Sequence, residues 1–176
     1  VFVDPQNCPN YDQERARYQT HNNNFEDEGY RNFLKPFWQP FETKAPCKIL
    51  DFGSGPQPAL SEQLRRLGHR VWSYDPFFAP LYPQDQKFDF IFCCEVIEHC
   101  RDPLSEIKKM LSVLKPNGEI WIRTELLELS KFPTWWYVRD PTHICFFSEK
   151  TFREIAQALG LELIARGPLQ VFRSSL

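Results

Sequence analysis

The rhythm of hydrophobic and polar positions changes near residue 47 and divides the chain into two parts. From Tyr11 to Tyr30 nearly every position is polar (YDQERARYQTHNNNFEDEGY). Then Phe33, Leu34, Phe37, Trp38 and Phe41 recur at near-helical spacing, with Pro36 and Pro40 placed to interrupt any long helix. This predicts one or two short helices within residues 1–47. A segment with so many polar positions does not carry a core of its own, so it is expected to pack on the rest of the chain.

From Lys48 the pattern alternates. CKILDF reads as a short buried strand and GSGPQP as a turn. Pro58 to Leu67 reads as a helix with Leu60, Leu64 and Leu67 on one stripe and Gly68 as its left-handed stop. RVWSYD is a second strand. FDFIFCCEV is a third, apolar enough to be covered on both faces as parallel strands are. Asp102 and Pro103 open a helix whose stripe is Leu104, Ile107, Leu111 and Leu114, and KPNG closes it. EIWIRTEL is a fourth strand. Ser148 caps a helix that Gly160 ends, and LELIAR and LQVFRSS flank Gly167-Pro168 as an antiparallel pair. Strand and helix alternating at this pace predict an α/β domain with a mainly parallel sheet over residues 48–176. The stretch from Asp75 to Phe88 is too short for a helix plus a strand and holds Pro76, Pro80 and Pro83. The sheet is therefore expected to lack one edge strand.

Composition narrows the function classes. Lys and Arg total 21 against 23 Asp and Glu, a net charge of -2, which leaves no strong footprint for nucleic acid or an anionic membrane. No apolar run approaches the ~20 residues that span a bilayer. The opening VFVDPQNCPN lacks the basic flank and apolar stretch of a signal peptide. Without an initiating Met, it reads as a piece or processed form of a longer chain. Cys8, Cys47, Cys93, Cys94, Cys100 and Cys145 form no CxxC pair, so they read as free thiols of a cytoplasmic protein.

The candidate chemistry begins at DFGSGP, after the first strand, where open α/β sheets bind their ligands. Gly53 and Gly55 permit a tight turn and close approach of backbone to a ligand. Asp75 ends the second strand 20 residues past Gly55, placed to accept ribose hydroxyls. Two glycines alone would build only a turn; with the acidic strand end they point to a nucleoside site. Pro58 stands where a dinucleotide fingerprint needs a small residue, and Pro-Gln-Pro removes donors that a pyrophosphate uses. Asp51 beside the glycines suits a ligand bearing an ammonium group. The site thus favours S-adenosylmethionine over a nicotinamide dinucleotide.

ILDFGSGP, Asp75, FDFIFCCEVIEH, DPLSEIKKMLSVLKPNGEIWI and FSEKTF together resemble the class I S-adenosylmethionine-dependent methyltransferases, over residues 48 to 164. The resemblance implies a Rossmann-like sheet with helices on both faces. It implies methionine contacts from Asp51, Gly53, Ser54 and Gly55, ribose contact from Asp75, and the Cys94–Glu95 backbone beside the cofactor. Pro76, Phe77 and Phe78 are the candidates for adenine. EVIEH followed by a downstream His is similar to ubiquinone-biosynthesis O-methyltransferases and to small-RNA 3′-terminal 2′-O-methyltransferases. That likeness implies a divalent metal (Mg or Mn) on Glu95, Glu98, His99 and His143; elsewhere in the class such pairs are plain helix starts without a metal. If 95–99 is helical, its three polar residues share one face.

For catalysis the candidates are His143 and Asp140, polar groups in an aromatic setting, and His21 with Tyr18 and Tyr30 in an N-terminal lid. Phe132, Trp135, Trp136, Tyr137, Phe146 and Phe147 are expected to wall an acceptor pocket or to fill the core, and His69 is incidental. The expected activity is methyl transfer to an oxygen or nitrogen of a small-molecule acceptor. A metal-dependent RNA ribose 2′-O-methyltransferase and a non-catalytic S-adenosylmethionine-binding module are the alternatives. The acceptor and the oligomeric state are left open by the sequence.

Overall fold

A computed structural model describes residues 1–20 and 23–174 of the chain. Two N-terminal helices, α1 (Tyr11–Gln19) and α2 (Glu28–Trp38), precede β1 (Lys48–Phe52), α3 (Ala59–Arg66) and β2 (Arg70–Tyr74). There follow β3 (Phe88–Cys94), α4 (Pro103–Ser112), β4 (Leu114–Arg123), α5 (Glu149–Leu159), β5 (Leu161–Arg166) and β6 (Leu169–Ser174). The sheet order is β2-β1-β3-β4-β6-β5; the first four strands are parallel and the last pair antiparallel. No strand lies outside β2 among the described residues. Instead residues 79–86 run past its edge and line an open groove of about 520 Å³.

Both faces of the sheet are covered, which is why its strands are apolar at consecutive positions. Leu50, Ile91, Cys93, Ile120 and Ile122 face Ile107 and Met110 of α4 and Phe152 and Ala156 of α5. The alternate residues Ile49, Phe92 and Trp121 face Leu60 and Leu64 of α3 and Leu34, Phe37 and Phe41 at the end of the N-terminal segment. Helix α2 therefore packs on the sheet as a layer of the fold. Pro36 sits inside α2, one turn from its end, where little helix follows. Helix α1, by contrast, buries no residue.

Two details differ from the sequence pattern. Leu104 is exposed; Pro103, Ile107 and Met110 form the buried side of α4. Strand β4 begins at Leu114, ahead of Glu119. Residues 115–118 bulge out of register, between Leu114 opposite Phe88 and Glu119 opposite Phe90, with Asn117 at φ 59°. All six cysteines are free. Among the described residues no helix is long and apolar enough to cross a membrane.

Candidate active site

The strand order reverses between β1 and β3, and a cavity of about 800 Å³ opens beyond their carboxyl ends. Its first wall is the glycine turn. Gly53 and Gly55 take φ 79° and 67°, which other residues adopt at a cost. Gly53 N and Ser54 N both donate to Tyr74 O, at 2.8 and 3.1 Å, pinning the turn to the end of β2. A Cβ on Gly53 would lie 2.3 Å from Val96 Cγ2, so the turn and the segment after β3 touch with no room for a side chain.

Asp51 is buried beneath this turn, where Ser61 Oγ of α3 donates to its Oδ2 at 2.7 Å. Burial pushes its pKa up to about 6. Ser54 Oγ is buried with no hydrogen-bond partner, a polar atom that a ligand would satisfy. Asp75 organises the next turn: Oδ1 accepts from Phe77 N (2.8 Å) and Phe78 N (3.1 Å), and Oδ2 from Gly55 N (3.0 Å). A carboxylate has about four lone-pair sites. As it stands, Asp75 has acceptor capacity for one further donor, where the sequence suggested a pair of ribose hydroxyls.

The roof comes from α1. Tyr11 packs on Phe77 with ring centroids 4.6 Å apart, and Tyr18 lies edge-on to Phe77 (5.4 Å) and to His99 (5.2 Å). Two ion pairs fasten the helix across the cavity, Glu14 to Arg101 (2.7 Å) and Arg17 to Asp140 (2.6 Å). Asp140 lines the cavity and is engaged by Arg17 of this helix. Its Oδ1 also accepts from Thr142 N and Oγ1, and these donors with Arg17 hold its pKa well below the carboxylate range, against the opposing effect of burial. His21 lies outside the described residues.

The far wall carries the polar cluster. Glu95 follows β3 at φ 52°, a strained value for a residue with a side chain. A single 3₁₀ turn over Ile97–His99 follows. The three residues 95, 98 and 99 therefore converge through a left-handed step and a tight turn, not along one face of an α-helix. Glu98 is fully buried, and His99 and His143 have ring centroids 4.8 Å apart. One ligating atom from each of Glu98, His99 and His143 lies within 4.8 Å of the others. Glu95 joins them through Tyr137, whose hydroxyl contacts Glu95 Oε2 (2.9 Å), Glu98 Oε1 and Thr124 Oγ1 (3.1 Å).

Burial raises the pKa of both carboxyls, and the charge of Glu98 raises Glu95 further. Burial and the neighbouring His99 bring His143 down to about 4, so its ring is neutral at pH 7. His99 Nδ1 lies 2.8 Å from Thr142 O and His143 Nδ1 2.7 Å from Tyr137 O. A carbonyl partner requires the hydrogen on Nδ1, so the neutral His143 ring carries its lone pair on Nε2. Glu95 Oε1 and Glu98 Oε2 are buried without hydrogen-bond partners. Glu98, His99 and His143 thus form a donor set whose chemistry could hold a divalent cation, with Glu95 beside it.

Of the residues singled out from sequence, Asp51, Gly53, Ser54, Gly55, Asp75, Pro76, Phe77, Cys94, Glu95, His99, Asp140 and His143 all line this one cavity. Of the aromatic cluster, Trp136 and Tyr137 line it, while Phe146 and Phe147 are core. His69 is a core residue whose Nε2 meets Phe41 O. The sequence pattern did not reveal the latch of Glu14, Arg17 and Arg101, because ion pairs spanning up to 123 residues leave no local signal. Nor did it separate Tyr137 from the other aromatics.

A parallel sheet ending in an antiparallel pair, with a glycine turn and an acidic strand end at its switch point, defines a class I S-adenosylmethionine-dependent methyltransferase fold. Residues 18–166 match the family described as a methyltransferase domain, and the chain belongs to that family. It is 33% identical over 106 residues to the ubiquinone biosynthesis O-methyltransferase of Histophilus somni, a match covering 44% of this chain and 44% of that one. It is 39% identical over 54 residues to the tRNA U34 carboxymethyltransferase of Campylobacter curvus, across 31% of this chain and 16% of that one. The match thus spans less than half the length of these curated relatives. Among solved structures, the 1,6-didemethyltoxoflavin-N1-methyltransferase of Burkholderia thailandensis, with S-adenosylhomocysteine bound, shares the fold. Its TM-score is 0.65 at 13% identity, covering 100% of this chain and 95% of that one.

Proposed function

We propose that this domain transfers the methyl group of S-adenosylmethionine to an oxygen or nitrogen of a small acceptor. The observation that carries this reading is that the glycine turn and the side chains of Glu95, His99 and His143 open into one cavity, with Glu98 buried behind them. Asp51 meets the ammonium of the cofactor, Ser54 its carboxylate and Asp75 its ribose. Phe77, under Tyr11 and Tyr18, flanks the adenine. The acceptor enters between Tyr30, Phe33, Trp136 and Tyr137, where aromatic walls suit a largely apolar molecule. Its lone pair forms the new bond to the methyl carbon as the carbon–sulfur bond breaks, leaving the neutral thioether, and the positive charge passes to the acceptor, which sheds its O–H or N–H proton to a neighbouring base. Alignment inside the closed cavity supplies much of the rate. Helix α1, fastened by its two ion pairs, keeps water out during transfer.

The unpartnered Oε2 of Glu98 favours a refinement, in which Glu98, His99 and His143, with Glu95 beside them, would hold a divalent cation. Such a cation lowers the pKa of an acceptor hydroxyl. Two imidazoles beside two carboxylates suit Mn²⁺ better than Mg²⁺. The refinement makes the acceptor an oxygen.

Calorimetry with S-adenosylhomocysteine tests the reading. Asp75→Asn keeps the side-chain shape but loses half its acceptor sites, and should weaken binding at least tenfold, about 1.4 kcal/mol. Equal affinity in the variant would remove Asp75 from the cofactor site.

A further inference from the structure

We propose that Tyr137 is the positioning residue for the Glu95–Glu98 pair: its hydroxyl lies between one oxygen of each carboxyl group, donates its single proton to one of them at a time, and holds both side chains on the wall that carries His99 and His143. This rests on the cation reading above.

Glu95 and Glu98 sit on a strained strand end and a single 3₁₀ turn, elements too short to fix two long side chains. Two carboxylates buried side by side repel each other, and without a donor between them they would diverge. Tyr137 supplies that donor from an immobile ring. It is buried among Leu127 and Phe146, with Trp135 at 5.0 Å, Trp136 at 5.3 Å and His143 at 3.9 Å between ring centroids. Its contact on Glu98 is Oε1, the oxygen that lies 4.0 Å from His99 Nε2. Its contact on Glu95 is Oε2, while Oε1 lies 3.9 Å from Arg123 Nε in an ion pair. Its backbone carbonyl is also the partner of His143 Nδ1, so one residue orients two members of the donor set and Glu95 beside it. That is how outer-shell groups preset a metal site.

The test measures Mn²⁺ affinity by calorimetry and by the electron paramagnetic resonance signal of free Mn²⁺. It uses the full chain as wild type and Tyr137→Phe, with S-adenosylhomocysteine affinity measured alongside. The variant should bind Mn²⁺ ~10–100-fold more weakly, with cofactor affinity changed less than about twofold. Equal or tighter Mn²⁺ binding in the variant overturns the positioning role and leaves the cation reading standing. A wild type that takes up no Mn²⁺ at millimolar concentration overturns both. If Tyr137→Phe does not fold, Thr124→Val carries the test. It removes a contact of the Tyr137 hydroxyl and keeps the ring, so Mn²⁺ affinity should fall severalfold, and unchanged affinity overturns the proposal.

Discussion

Replacing Gly53 by alanine tests the joint on which the cavity is built. Two costs add. At φ 79° a side chain meets the left-handed penalty, roughly 1–2 kcal/mol. The new methyl also falls 2.3 and 2.7 Å from the two Cγ atoms of Val96, far inside contact distance. Overpacking of that kind costs about 1–3 kcal/mol. Together these give a loss of about 2–5 kcal/mol against a total stability on the order of 5–15. In urea unfolding followed by tryptophan fluorescence, a slope of about 2 kcal/mol per molar turns that loss into a midpoint lower by roughly 1–2.5 M. The two costs separate in a double-mutant cycle: with Val96→Ala the two shortest contacts go, Val96 Cβ stays at 3.1 Å, and the backbone cost stays, a coupling of about 1–3 kcal/mol. Gly53→Ala within about 0.5 kcal/mol of wild type, or no coupling to Val96, would refute the reasoning.

Gly55→Ala should cost only the backbone penalty, roughly 1–2 kcal/mol, because the nearest atom to its Cβ position is Asn23 Nδ2 at 3.5 Å; a loss as large as that of Gly53→Ala would contradict this. Asp51 has its folded pKa raised to about 6, so its stabilisation is present below the unfolded value of 3.8 and lost as pH rises through 6. In melts without cofactor, Asp51→Asn should therefore gain on wild type as pH rises across that window, on the order of 2–3 kcal/mol in all, and a constant difference would sink the point. His143 is shifted the other way, to about 4: its contribution is present above the unfolded value of 6.5 and lost as pH falls through 4. His143→Gln should accordingly flatten the acid side of the stability profile between those values, and an unchanged slope would count against a neutral buried ring. Arg17 is 41% exposed in its pair with Asp140, so Arg17→Ala should cost less than about 1 kcal/mol globally. It should still speed amide hydrogen exchange across 11–19, and unchanged exchange there would mean that α1 is not held by this pair.

The strands, the helix caps and the missing edge were legible in the sequence because each has a local cause. FDFIFCC is apolar on both sides because both faces of β3 are covered, and Ser148 and Gly160 mark the ends of α5 through side-chain capping and left-handed geometry. The Gly53–Gly55 turn was legible for the same reason. What stayed hidden depends on tertiary placement. Leu104 fits a helical stripe, yet α4 is rotated so that Pro103 takes the buried place. EVIEH looks like the start of a helix, but Glu95 leaves β3 in a left-handed conformation. Asp75 carries a signature of ligand binding, and its local duty of capping two turns has no sequence signal of its own. Tyr137 was one aromatic among several, and only its depth beside Glu95 and Glu98 distinguishes it.

A crystal of the protein soaked with S-adenosylhomocysteine puts the central claim to the most direct test. The account predicts density for the whole ligand within the cavity between β1 and β3. The amino-acid end should lie against Gly53 and Ser54, the ribose at Asp75, and the sulfur turned toward Glu95 and Tyr137. A cavity without ligand at saturating concentration, or a ligand bound elsewhere on the molecule, would contradict it.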